Sequence, residues 1–147
     1  MEVLSEFFTN EYILAPFLVW FFIQLFKVIN DLRKYKRINP KRVLGAGGMP
    51  SSHSACVMTL TTMVGKNAGF DSYSFAISLI FSLVVMYDAA GVRRAAGKQA
   101  KVINKIINDP NFKNMNIQEK LGELLGHTPL EVFVGAVVGI IVGSIFG

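Results

Sequence analysis

Apolar side chains gather in four stretches, separated by polar connections of unequal length. The first runs from about Ile13 to Ile29, is rich in Phe, and carries Gln24 and Lys27 near its end. The second begins at Ser51 and ends near Val64, the third runs from about Phe70 to Val92, and the fourth from Leu130 to Gly147. At ~1.5 Å per residue the third and fourth cross ~30 Å of hydrocarbon, the first is marginal, and the second, at about 21 Å, is short. A short helix still serves if it starts in a cavity beneath the membrane surface, where irregular backbone is tolerated. The pattern predicts an all-α chain: a polytopic membrane helical bundle with four transmembrane segments, forming one domain over residues 1–147.

The connections sharpen this picture. Gly65 to Gly69 reads as a tight hairpin between the second and third segments, and Asn30 to Pro50 as a basic loop between the first and second. Between the third and fourth, Val102, Ile103, Ile106 and Ile107 share one helical face, with Lys98, Lys101 and Lys105 largely on another. That predicts an amphipathic helix in the membrane interface. Asn108-Asp109-Pro110-Asn111 breaks it, and Ile117, Leu121, Leu124 and Leu125 predict a second short helix.

Composition supports a bilayer setting. The chain has 147 residues, 52% hydrophobic and 17% charged, with mean hydropathy +0.43. A chain this short has too little interior to hide so many apolar side chains in water. The net charge of +5 is interleaved with apolar runs, which favours a membrane surface over nucleic acid as partner. One cysteine, Cys56, excludes an intrachain disulfide and a cysteine-based zinc site. The acidic start, Glu2 and Glu6, is unlike a cleavable signal peptide. Apart from Lys27 and Lys66, all 15 Lys and Arg lie in the two long connections. The positive-inside rule then places both connections in the cytoplasm and both termini outside, in a multi-pass protein of the cell membrane.

Three polar groups stand out, each at the cytoplasmic end of a segment. Gly45 to Ser54 enters a helix through Gly, Pro and Ser; a helix N-terminus capped by Ser51 is a ready anion site, and His53 is within reach of the same anion. Tyr87 to Lys98 carries Asp88, Arg93 and Arg94. The arginines read as a guanidinium fork for phosphate oxygens or as topology anchors, and Asp88 as the partner of a nearby cation or as a residue with a function. Leu125 to Glu131 places His127 and Glu131 four apart on one face, where a carboxylate on one imidazole nitrogen leaves the other nitrogen available for chemistry. Gly135, Gly139, Gly143 and Gly147 form a stripe for close helix packing, within the chain or between chains. Two histidines and several cations around an anion site suggest phosphoryl transfer without a metal or other cofactor: one imidazole attacks phosphorus and the other protonates the leaving oxygen.

Gly47 to Ala55, Tyr87 to Arg93 and Gly126 to Val132 together resemble the divergent branch of the type-2 phosphatidic acid phosphatase family, related to acid phosphatases and vanadium-dependent haloperoxidases. The wider family carries Lys-x6-Arg-Pro, Pro-Ser-Gly-His and Ser-Arg-x5-His-x3-Asp. The resemblance implies that His127 is the nucleophile, Glu131 orients it, His53 is the general acid, and Ser51 and Ser52 bind phosphate. Ser52 stands for the family's glycine and Glu131 for its aspartate. The first signature is missing, so Lys27, or Lys41 and Arg42, would take its place. Leu121 stands where the third signature has arginine, which makes Arg93 the substitute. Full-length relatives usually have six segments, so a four-segment chain would complete itself as a homodimer, through Gly135, Gly139 and Gly143.

The resulting expectation is a phosphatase-like domain that hydrolyses a lipid phosphate such as phosphatidylglycerophosphate or phosphatidic acid, at a site facing the cytoplasm. The alternatives are a polyprenyl phosphate or diphosphate phosphatase, a non-catalytic lipid-phosphate scaffold, and a small transporter or channel.

Overall fold

The computed structural model describes residues 2–36, 48–107 and 126–147. Six helices occupy them: α1 (Glu2–Thr9), α2 (Glu11–Tyr35), α3 (Ser52–Ala68), α4 (Tyr73–Ala90), α5 (Val92–Ile107) and α6 (Pro129–Phe146). No strand occurs among the described residues. The short helix predicted around Ile117 to Leu125, and Lys41 and Arg42, lie outside them.

Local chemistry sets the helix boundaries. Asn10, Ser51, Ser72 and Thr128 each cap a helix start by accepting a backbone N–H, which relieves part of the unpaired first turn. The hairpin differs from the expected one. Gly65 lies inside α3, and the turn falls at Gly69 (φ 92°) to Ser72. Gly65 is needed there for space: a Cβ would stand 2.6 Å from the Phe70 ring and 2.9 Å from Phe75. α4 and α5 are separated by Gly91 alone, so the amphipathic segment extends directly from the third apolar stretch.

Among the described residues, three helical stretches are long and apolar enough to cross a membrane: Glu11–Arg33, Tyr73–Ile107 and Pro129–Phe146. The second predicted segment, α3, is not among them. It is the central helix instead, packed by α2, α4 and α6. Its hydroxyls bind neighbouring backbone. Thr59 Oγ1 donates to Ala55 O at 2.8 Å and to Gly139 O at 3.2 Å. Thr61 and Ser82 hydroxyls meet at 2.7 Å, and Ser82 also donates to Val57 O at 3.1 Å. Such bonds join helices where apolar burial gives little drive, because lipid tails are as apolar as the side chains. Val19, Ile23 and Ala55 form a small buried core, with Val138 and Val142 against it.

α3 and α6 run parallel, with the glycine stripe as their seam. Gly135, Gly139 and Gly143 are buried and face Ser51, Ala55 and Thr59 in turn. A Cβ on Gly143 would stand 2.6 Å from Thr59 O. The stripe is therefore consumed within the chain, which corrects the expected homodimer through Gly135, Gly139 and Gly143: no second copy can reach it while α3 is in place. The register also sinks the start of α3. Ser51, its cap, lies beside Gly135, about four residues beyond Glu131 in α6, and its amide donates to Glu131 O at 2.9 Å.

Candidate active site

The segment before α6 is shaped residue by residue. Gly126 has φ 88°, a left-handed conformation that favours glycine. It also packs so closely on the α4–α5 junction that a Cβ would run into the Arg94 amide and stand 2.7 Å from the Arg93 carbonyl carbon. His127 N donates to Ala89 O at 2.9 Å, which pins the segment to the end of α4. Thr128 then caps α6 in a full capping box: Glu131 N donates to Thr128 Oγ1 at 3.3 Å, and Thr128 N to Glu131 Oε2 at 3.0 Å.

Glu131 Oε2 also lies 3.1 Å from His127 Nδ1. A carboxylate favours the tautomer that carries its proton on Nδ1, so Nε2 presents a lone pair. Nε2 is buried and has no hydrogen-bond partner among the described residues, and His127 as a whole is 2% exposed. A buried polar atom without a partner is rare and calls for an explanation. His127 lines a pocket of about 20 Å³ together with His53, Val85, Asp88, Ala89 and Arg93, room for about one water. The two imidazole centroids are 6.1 Å apart.

Arg93 Nε donates to Asp88 Oδ2 at 2.7 Å. The pair is partly open to solvent, with the Arg93 side chain 50% exposed. Asp88 thus holds the guanidinium by one edge and leaves the terminal nitrogens for other partners. Burial pushes the His127 pKa below its ordinary 6.5, the Glu131 hydrogen bond opposes this, and the charges of Lys27 and Arg93 add to the lowering.

The structure brings His53, His127, Asp88 and Arg93 to one pocket, with Glu131 directly behind His127. Lys27 is buried in α2, and its charge is felt by both histidines. Ser51 and Ser52 are buried. Ser51 Oγ accepts from Ser54 Oγ at 3.0 Å within its own helix. Arg94 does not line the pocket, and Arg42 lies outside the described residues. Sequence reasoning missed Thr128, although Thr-x-x-Glu is a capping-box signature. It also missed Ala89 O, which contributes through its backbone and leaves no mark in the sequence.

Three helical stretches able to cross a bilayer, with a paired-imidazole and guanidinium pocket among them, define a helical membrane protein. The chain belongs to the Divergent PAP2 family, whose profile matches residues 8–142. It is also 42% identical over 147 residues to the uncharacterized membrane protein YuiD of Bacillus subtilis (strain 168), covering 92% of this chain and 93% of that protein. No solved structure matches it.

Proposed function

We propose that the chain is an integral membrane phosphatase acting on a lipid phosphate through a phosphohistidine on His127. One observation carries this reading: His127 lines a pocket shared with His53 and Arg93, its Nε2 is buried without a hydrogen-bond partner among the described residues, and its Nδ1 is held by Glu131. In the first step Nε2 forms a bond to phosphorus, the bond to the lipid oxygen breaks, and His53 delivers a proton to that oxygen. In the second, His53 takes a proton from water, whose oxygen bonds to phosphorus as the phosphorus–Nε2 bond breaks, releasing phosphate and restoring the neutral His127. Arg93 holds the phosphoryl oxygens, a planar donor set suited to them, and Lys27 adds positive potential.

In this reading residues 1–147 form one phosphatase-like domain, with α3 as a short fourth segment. Both long connections and the site face the cytoplasm, as the Lys and Arg distribution favours. That placement suits phosphatidylglycerophosphate or phosphatidic acid of the inner leaflet better than a polyprenyl phosphate released outside.

The test is phosphate release by protein purified in detergent, from each of these lipids, with His127→Ala in parallel. Release that disappears in the variant supports the phosphatase. A folded protein that releases no phosphate from any of them is a lipid-phosphate scaffold instead.

A further inference from the structure

The side chains of α5 divide into three faces. Gly97, Ala100 and Asn104, spaced three and four apart, are buried. Lys98, Lys101 and Lys105 repeat that spacing roughly a third of a turn away and are exposed. Val102, Ile103 and Ile106 occupy the remaining side and are 58, 43 and 51% exposed. Ile107, expected on that apolar face, is half-buried toward the protein side. A shallow groove of about 380 Å³ runs where the two outer faces meet, lined by Lys98, Gln99, Val102 and Ile103.

A protein-facing stripe of small residues, a lysine row and an exposed apolar row suit a helix lying between headgroups and acyl chains. The apolar row enters the acyl boundary, while the lysine stems lie along it and keep their ammonium groups among the headgroups. Charge selects the headgroup. α5 contains no acidic residue, so nothing on it neutralises the lysine row. A second copy docking through the same face would bring two basic rows together and be repelled. We propose that α5 is a docking surface for anionic lipid, with phosphate headgroups along Lys98, Lys101 and Lys105 and acyl chains against Val102, Ile103 and Ile106. This inference concerns binding alone and stands whether or not the pocket turns over a substrate.

The test uses the full chain in nanodiscs, with Cys56→Ala and Ile106→Cys carrying an environment-sensitive dye. Phosphatidylcholine alone is compared with phosphatidylcholine containing phosphatidylglycerol. Adding phosphatidylglycerol is expected to move the emission to the blue. Replacing Lys98, Lys101 and Lys105 by Gln is expected to weaken docking on the anionic disc on the order of 100-fold, at about fivefold for each lysine near a charged surface. That variant would then return the phosphatidylcholine spectrum. A single elution peak and unchanged helix content would establish that it folds. Equal emission in the two lipids would overturn the proposal. So would shielding that appears only together with a disulfide-linked Ile106→Cys dimer formed before labelling, which would assign the face to a second copy.

Discussion

Glu131→Gln separates the two roles that geometry gives to one oxygen. Glu131 Oε2 accepts from Thr128 N at 3.0 Å and faces His127 Nδ1 at 3.1 Å. An amide has one acceptor oxygen and no charge, so it can keep the cap while losing the charge-assisted bond to the imidazole. Such a bond is worth about 1.5–3 kcal/mol, which at ~1.4 kcal/mol per decade corresponds to a fall in turnover of about 10- to 100-fold. The pH profile supplies the second readout. Glu131 raises the His127 pKa against the lowering by burial, so its removal lets that pKa fall further. In the proposed reaction His127 attacks as the neutral imidazole, so the acid limb of kcat against pH should move to lower pH even as the plateau drops. Phosphate release across a pH series, beside Thr128→Ala, checks both. Thr128→Ala should cost about 1 kcal/mol of stability through the lost cap and leave the acid limb in place. An unchanged plateau in Glu131→Gln, or an acid limb moved to higher pH, would refute the orienting role.

Gly139→Ala should destabilise the fold by about 1–3 kcal/mol, as overpacking does, because its Cβ would run into Ala55 O and stand 2.8 Å from Met58 Cβ; unfolding in mixed micelles measures this. Gly126→Ala should abolish phosphate release while the helix content seen by circular dichroism stays near wild type, since both its φ and its contact with the Arg93–Arg94 backbone are local to the site. Asp88→Asn should change stability by less than about 1 kcal/mol, because its ion pair is solvent-exposed. It should instead raise KM for the lipid phosphate more than it lowers kcat, as Arg93 loses its fixed edge.

The sequence alone was enough for the helical class, the Ser51 cap and several of the side chains that meet, among them His53, His127, Asp88 and Arg93. Periodicity marked α2, α4 and α6 because long apolar runs carry that signal without tertiary context. The sequence also brought His53, His127 and Glu131 together, because the span count and the Lys and Arg distribution put each at the same end of its segment. The place of α3 was not legible. Its Ser and Thr residues read as a short, weak span, yet they are buried because their hydroxyls bond to carbonyls of their own and neighbouring helices, a fact about three-dimensional neighbours.

The glycine stripe shows the same division. Spacing in steps of four established that something packs closely there. Whether that partner was α3 or a second chain was settled only when parallel packing set Gly135, Gly139 and Gly143 against Ser51, Ala55 and Thr59. Asp88 was recognisable as a carboxylate in need of a partner, but the choice of Arg93 depended on the turn at Gly91. The sequence determined which chemical groups were available and which faces had to be buried, because side-chain polarity and helical period are local properties. Tertiary structure alone decided which nitrogen of His127 is held and which is left open, because that depends on the distance to Glu131 and on the Ala89 carbonyl that anchors its backbone.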